Sequence, residues 1–445
     1  MNILTAPPAP LPSHTVLIFL LQLALLLGVA RLFGWLAERC GMPAVAGELL
    51  TGVLLGPSLL GHLMPRYAAW LMPGGPGQIG LLDAIGQLGV LLLVAVTGSH
   101  VDLRAVRRRR STAAYISVFG LVVPLGLGIA AGFLLPRAVV GTASDRGVFV
   151  LFLGVAMCVS AIPVIAKTLT DMRLLHRDVG QLTLAAGMVD DAVGWFLLSL
   201  VSAAATVGVT LGGTLVSVLS LLGFSIVVMV AGGPVVRGVL RISSRSPEPG
   251  TTIAVSVLLV LLGAVAAHGL KLEPVFGAFI VGILIGTARA RDLARLAPLR
   301  TVVLSVFAPL FLATAGLRMD LTALRDPAVA IAAVVILAVA VLGKFAGAYA
   351  GARLSRLGNW EALAIGAGMN ARGVIEVIVA TTGLRLGILN TATYTIVILV
   401  AVMTSLMAPP LLRLTTARIE QSEQERARRA HQDRISAVAP MPVDA

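Results

Sequence analysis

The stretch LLHRDVGQLTLAAGMVDDAVGWFLLSL, residues 174–200, decides how the rest of the chain is interpreted. After a polar start it is an apolar run of helix length with two adjacent carboxylates, Asp190 and Asp191, near its middle. A charge at the centre of a bilayer costs roughly 2.5–3.5 kcal/mol on insertion scales, so packing alone explains the pair poorly. Flanking small residues, among them Gly187 and Gly194, would let other backbones and a small ligand approach. We interpret the pair as a cation and proton site; the alternative is two buried acids neutralised by structural partners.

Composition indicates an all-α polytopic membrane protein. The 445 residues are 58% hydrophobic and 12% charged, with a mean hydropathy of +0.96. The net charge of +13 would suggest nucleic acid as the partner of a soluble protein. Here the arginines lie between apolar runs, so topology explains them and no nucleic-acid partner is expected. Cys40 and Cys158 are far apart and indicate neither a disulfide framework nor a resident metal site.

Thirteen transmembrane helices are predicted between a short Pro-rich leader, residues 1–14, and a polar tail, residues 413–445. The membrane domain therefore covers residues 15–412. Its candidate spans lie at 15–36, 43–61, 79–98, 112–135, 147–169, 178–206, 213–236, 251–270, 272–288, 299–317, 327–350, 361–383 and 391–412. No GxxxxGK[ST] sequence occurs and no catalytic domain fits the loops, so neither a P-loop pump, an enzyme nor a cofactor is expected.

The distribution of basic residues predicts the orientation. Lys and Arg are concentrated in the connections after odd-numbered spans, most densely at Arg107, Arg108, Arg109 and Arg110. The positive-inside rule places these connections in the cytoplasm. The N-terminus is then outside and the C-terminus cytoplasmic, in a plasma or bacterial inner membrane with lipid around the helices.

An internal repeat is visible in the sequence. LGVLLLVAVTGSHVDLRAVR, residues 88–107, aligns without a gap with VFAPLFLATAGLRMDLTALR, residues 306–325, so that Gly98 pairs with Gly316. The two preceding spans share a glycine spacing, in which Gly52 pairs with Gly282. The copies are seven spans apart, so they cross the membrane in opposite senses. Two inverted six-helix repeats are predicted, which is typical of transporters that work by alternating access.

Two candidate spans are interrupted at corresponding places in the repeats. One contains CVSAIPVIAKTL, residues 158–169, and the other contains GMNARGVIEVIV, residues 368–379. Proline removes a helical hydrogen bond and glycine favours departure from the helix, so broken helices that cross near the midplane are predicted. The alternative is two merely kinked helices. The predicted site lining is Ser160, Ala161, Pro163, Asn370, Arg372 and Glu376.

Other buried charges require partners. Lys344 lies inside an apolar span and is predicted to face the aspartates; the alternative is a short snorkel to the cytoplasmic edge. Arg372 and Glu376 are four residues apart on one helical face, where they can pair, and we favour a structural role for that pair.

SAIPVIAKTLTDMRLLHRDVGQL (160–182), leading into GMVDDAVGW (187–195), together with GMNARGVIEVIV resembles the monovalent cation/proton antiporters. The similarity is to the branch containing bacterial Na+/H+ and K+/H+ antiporters, Kef-type transporters and plant cation/proton exchangers. The resemblance extends over nearly all thirteen spans. It implies a Na+/H+ antiporter fold, a homodimer and an elevator motion of a core domain against a scaffold. The implied scaffold covers about 15–98 and 251–317, the core about 112–206 and 327–412, and a linker helix about 213–236.

The resemblance also implies roles for the charged residues. Asp191 would carry the transported monovalent cation and the proton, and Asp190 would pair with Lys344. Members with two aspartates are typically electrogenic. Plant exchangers commonly have Asn before the Asp, so this chain departs from them at Asp190.

The sequence therefore predicts a secondary active antiporter that exchanges Na+ or K+ for protons. A cation channel is an alternative, although the inverted repeat argues against it. A sodium-coupled organic-solute symporter of related fold is another. A third alternative is an intramembrane aspartyl protease, which needs two carboxylates that converge on one peptide bond. Adjacent residues of one helix point about 100° apart, so Asp190 and Asp191 suit that chemistry badly.

Overall fold

The computed structural model describes residues 12–72, 76–99, 110–136, 139–141, 145–207, 211–288 and 293–426. Within these ranges the chain is almost entirely helical, as the composition predicts. Eleven helices are long and apolar enough to cross a membrane, or twelve when one bent pair counts as a single span. The ninth candidate span of the sequence coincides with a shorter apolar helix, Pro274–Gly286. Arg107, Arg108 and Arg109, which entered the orientation argument, lie outside the described residues, as do residues 100–107 of the first repeat copy.

The longer helices are numbered in chain order. They are α1 (Ser13–Arg39), α2 (Ala44–Leu55), α3 (Pro76–Ser99), α4 (Arg110–Leu134), α5 (Arg146–Cys158), α6 (Ile162–Asp171), α7 (Asp178–Val207), α8 (Leu211–Val227), α9 (Gly233–Ser243), α10 (Pro249–Gly269), α11 (Pro274–Gly286), α12 (Ala297–Gly316), α13 (Pro327–Leu354), α14 (Asn359–Met369), α15 (Val374–Arg385) and α16 (Thr391–Thr416). A π-helical turn, Val228–Gly232, joins α8 to α9, and another, Val303–Phe307, lies inside α12.

Large apolar side chains cover much of the outer surface. Leu17, Ile226 and Val334 each expose 60% or more of their surface. Such a surface would be unstable in water but matches the hydrocarbon of a bilayer. The helices therefore form a multi-pass membrane protein.

Helices α2 and α12 pack at backbone distance through glycines. A Cβ added to Gly52 would overlap the carbonyl oxygen of Ala313, and one added to Gly316 would overlap that of Leu49. Small residues permit this approach, which maximises van der Waals contact where lipid offers no hydrophobic driving force between helices.

Helices α3 and α11 make the same contact. A Cβ on Gly282 would overlap the carbonyl oxygen of Ala95, and one on Gly98 would lie 2.6 Å from that of Phe279. Each of these four residues is the counterpart of one in the α2–α12 contact when the two repeats are aligned as above. The sequence repeat is therefore accompanied by a repeated packing contact.

Gly52→Ala is expected to lower the thermal stability of the protein in detergent. The added methyl group forces α2 away from α12, and overpacking of this kind costs about 1–3 kcal/mol. Gly28→Ala on α1 is the matched control, because nothing lies within 4 Å of a Cβ there. Equal melting temperatures for the two variants would contradict this account of the α2–α12 contact.

The segment after α16 returns to the start of α7. Arg177 donates to the carbonyl of Ile419 at 2.9 Å and pairs with Glu425 at 3.3 Å, while the N–H of Asp178 donates to Glu425 at 2.6 Å. Burial acts to raise the pKa of Glu425, but backbone N–H donors and Arg177 outweigh it and hold that pKa below its ordinary value. We call this end of the helix bundle the tail face and the opposite end the far face.

Candidate functional site

The two aspartates lie in the middle of α7, and both side chains are completely buried. The small residues around them allow neighbouring backbones to approach. A Cβ on Gly187 would lie 3.3 Å from Ile165, and one on Gly194 would lie 3.1 Å from Val159. Both neighbours belong to the segment that contains the first interruption predicted from the sequence.

Two helix interruptions lie beside the aspartates. The first separates Cys158, the end of α5, from Ile162, the start of α6; Ala161 is extended and Pro163 lies in the first turn of α6, where proline is well tolerated. The second separates α14 from α15, which are bent by 45°. The N–H of Ala161 donates to the carbonyl of Ala371 at 3.3 Å, so the two interruptions are bonded to each other.

Asp190 is held by a buried cation. Lys344 Nζ on α13 lies 2.5 Å from Asp190 Oδ2 and 2.5 Å from the carbonyl oxygen of Cys158. Ser160 Oγ lies 3.3 Å from the same carboxylate oxygen and 3.0 Å from the carbonyl of Met369. One ammonium group therefore offsets the charge of Asp190 and satisfies a carbonyl left free where α5 ends.

Asp191 has a different environment. The N–H of Ile162, at the start of α6, donates to Asp191 Oδ1 at 3.4 Å. Helix N-termini carry a partial positive charge that favours an anion. Asp191 Oδ2 is buried and has no hydrogen-bond partner among the described residues. Asp190 Oδ1 is likewise buried without a partner, so the difference between the two carboxylates is that Asp190 is paired with Lys344, whereas no ion pair to Asp191 occurs among the described residues.

Arg372 binds the end of α5 from the second interruption. Its guanidinium donates to the carbonyls of Ala156 at 2.9 Å and Met157 at 2.5 Å, and it pairs with Glu376 at 3.1 Å. It also donates to Ala340 on α13 at 3.1 Å. Together with Lys344 it supplies cations to three successive carbonyls at the negative end of α5.

Asn370 lies in the second interruption and is completely buried. Neither its amide oxygen nor its amide nitrogen has a hydrogen-bond partner among the described residues. Leaving a buried polar group without a partner costs about 1–3 kcal/mol. A polar side chain retained at such a cost is expected to face a ligand.

Asn370→Leu is expected to weaken the apparent cation affinity more than it lowers expression, because the ligand loses a polar partner while the side-chain volume is nearly kept. Substrate titrations in proteoliposomes measure this. Met369→Leu, an apolar replacement on the preceding residue, is the control and should leave the affinity unchanged. An unaltered affinity and pH profile in Asn370→Leu would place Asn370 outside the site.

The structure brings together all the site residues predicted from the sequence. The two aspartates, Lys344 and the six predicted lining residues all lie at or beside the interruptions. Sequence reasoning missed two hydroxyls: Ser117 on α4 donates to the carbonyl of Ala186 at 2.9 Å, and Ser405 on α16 donates to that of Arg372. The signal available in the sequence was a serine within an apolar helix. Many such serines only bond to a carbonyl of their own helix, so this signal does not identify the ones that bond to another helix.

The buried charges of the site do not cancel. Lys344 and Arg372 are positive, whereas Asp190, Asp191 and Glu376 are negative, and each is at most 1% exposed. With all five ionised the site carries one excess negative charge. An uncompensated buried charge costs several kcal/mol, so one proton or one monovalent cation is required for balance.

Known proteins resemble this chain over most of its length. Residues 26–417 match the family described as "Sodium/hydrogen exchanger, transmembrane". The chain is 28% identical over 404 residues to the Na(+)/H(+) antiporter NhaS4 of Synechocystis, covering 90% of this chain and 97% of that protein. It is 27% identical over 400 residues to the Na(+)/H(+)-K(+) antiporter GerN of Bacillus cereus, covering 89% and 96%.

Plant and structural relatives add to this result. Cation/H(+) antiporter 17 of Arabidopsis thaliana is 28% identical over 404 residues, which are 90% of this chain but only 48% of that protein. The chain thus spans about half the length of the plant relatives it matches. The sodium proton antiporter MjNhaP1 of Methanocaldococcus jannaschii superposes with a TM-score of 0.66 at 16% identity, covering 91% of this chain and 97% of that one. This likeness shows the fold.

Proposed function

This chain belongs to the sodium/hydrogen exchanger family, and we propose that it exchanges a monovalent cation, Na+ or K+, for protons across the membrane. The observation that carries the proposal is the burial of three carboxyl groups with only two cationic side chains, which leaves one excess negative charge when all five are ionised. A proton on Asp191 or a cation beside it neutralises the same charge, so the two compete for one position. Competition of this kind is what antiport requires, because the carrier then returns loaded with the other ion.

The arrangement of ligands supports Asp191 as the carrier. The charge of Asp190 is offset by Lys344, whereas the described partner of Asp191 is the backbone N–H of Ile162, so the charge of Asp191 is the one left for a proton or a cation to neutralise. A dehydrated cation needs several oxygen ligands, and carbonyls at interrupted helices can replace part of its hydration shell. Asp191, Asn370 and backbone carbonyls beside them provide that chemistry. No covalent bond is made or broken in the cycle.

Alternating access would come from an elevator motion. Helices α4–α7 and α13–α16, the core, carry the site and would move against α1–α3 and α10–α12, the scaffold. The repeated α2–α12 and α3–α11 contacts support an inverted repeat within that scaffold. The basic connections support an orientation with the tail face in the cytoplasm. The family resemblance supports a homodimer.

The testing experiment uses the purified protein in liposomes that contain a pH-sensitive dye. An imposed outward gradient of Na+, K+ or Li+ should drive saturable proton movement in the opposite direction. Proton movement that does not saturate with cation concentration would instead indicate a channel. Cation flux without any proton movement would overturn the proposal.

A further inference from the structure

A cavity of about 310 Å³ opens between scaffold and core at the far face. Its walls come from α3, the start of α11, the end of α12 and the last two turns of α15. Asp83, Glu273, Arg318 and Arg385 line it together with several hydroxyl groups. The cavity lies at the far face because its lining includes the end of α15, and the chain turns there from α15 into α16.

Two ion pairs line this cavity, and they differ in whether they join the core to the scaffold. Arg318 pairs with Asp83, and both residues belong to the scaffold. Arg385 at the end of α15 pairs with Glu273 at the start of α11, and this pair joins core to scaffold. Thr382 on α15 adds a hydrogen bond to Glu273 at 3.1 Å.

Glu273 is directed away from its own helix. It occupies the N-cap position of α11, where a carboxylate commonly accepts from N–H groups of the first turn, yet it makes no such hydrogen bond. Its side chain is only 7% exposed, whereas that of Arg385 is 41% exposed. The carboxylate is therefore nearly desolvated and depends on α15 for its partners.

Helix α15 connects this pair to the ion site. Its first turn carries Glu376, the partner of Arg372, and its last residue is Arg385. Twelve helical residues span about 18 Å, so a displacement of α15 reaches both ends together. A shift of one helical turn, about 5.4 Å, is enough to separate Arg385 from Glu273.

We propose that Glu273 and Arg385 form a gate at the far face, which holds the conformation described here and opens once in each transport cycle. The gate rests on the proposed alternating access. The pair is intact in this conformation, so removing it shifts the balance toward the conformation in which α15 is displaced. The neighbouring Asp83–Arg318 pair lies within the scaffold and does not change that balance.

The experiment measures distances between two nitroxide labels, at Leu270→Cys on the scaffold and Thr391→Cys on the core, by pulsed electron resonance. Both positions are exposed, and Cys40→Ser removes the exposed native thiol. Glu273→Gln should increase the ratio of displaced to described conformation about fivefold, the size expected for a partly exposed ion pair. Arg385→Gln removes the same pair from its exposed side and should give the same shift. The double variant should add nothing further.

Asp83→Asn is the control and should leave the distance distribution as in the native protein. Unchanged distributions in both Glu273→Gln and Arg385→Gln would overturn the gate, as would an equal shift in Asp83→Asn. The measurement needs no transport, so it is independent of the flux assay. If the native protein exchanges ions but the distance distribution is unaltered in both variants, the proposed function stands and only the gate is excluded.

Discussion

Replacing Asp191 by Asn is expected to reduce proton-coupled cation flux to the level of liposomes without protein. Asn keeps the size of the side chain but can neither ionise nor release a proton. The buried site then contains two cationic side chains, Lys344 and Arg372, and two carboxylates. No excess charge remains for the transported ion to neutralise. The same replacement removes an uncompensated buried charge, so the melting temperature should be equal to or higher than that of the native protein.

The matched control is Asp326→Asn. Asp326 caps the start of α13 through its side chain, at 2.8 Å from the N–H of Ala328, and it is exposed. Asn is an equally good N-cap, so this variant should transport normally. Normal flux in Asp191→Asn would exclude Asp191 as the carrier. Loss of flux together with loss of the folded protein is distinguished by the melting temperature and by size-exclusion chromatography.

The second large effect concerns the pair Asp190–Lys344. Lys344→Ala leaves Asp190 buried without a cation and the Cys158 carbonyl without a donor. Breaking one side of a buried ion pair typically costs about 3–5 kcal/mol, so this variant should be strongly destabilised. Asp190→Asn combined with Lys344→Gln removes both charges and keeps hydrogen-bonding groups at both positions. The double variant should therefore recover most of the stability.

The same double variant tests how charge moves. The charge balance above corresponds to one proton for one cation. If cation binding at Asp191 also breaks the Lys344–Asp190 pair, Lys344 can release its proton; two protons then exchange for one cation, and the cation-bound site keeps one negative charge. Net charge then moves in each cycle. Proteoliposomes on a solid-supported membrane should show a cation-triggered current with the native protein. The double variant should still exchange ions but without current. Exchange without current in the native protein would contradict this division of roles between the aspartates.

The class of fold and the centre of the site could be predicted from the sequence. Apolar windows of spanning length determine a helical membrane protein, since the backbone must satisfy its hydrogen bonds within each helix. A carboxylate pair in such a window needs nearby cations, and Lys344 was one of the few candidates. The glycine spacings indicated a repeat, and the structure shows that α2–α12 and α3–α11 approach each other through those glycines.

The backbone groups of the site could not be predicted. The Cys158 carbonyl that binds Lys344, the Ile162 N–H that reaches Asp191 and the carbonyls that bind Arg372 are properties of where helices end, not of side-chain identity. Every residue carries the same peptide group. Its availability depends on the position of each break and on which other break lies against it.

Side chains that bond across helices also required the tertiary structure. Thr183 donates to the carbonyl of Val179 in its own helix, whereas Ser117 donates to Ala186 on another. The two hydroxyls look alike in sequence, and only the packing of α4 on α7 separates them. Glu273 and Arg385 are 112 residues apart. In the sequence each is an ordinary charged residue at a helix end, with no sign that the two form a pair. The sequence determined the helices, their interruptions and the need for buried counter-charges; the tertiary structure decided which groups meet, because contacts between distant segments depend on how the helices pack.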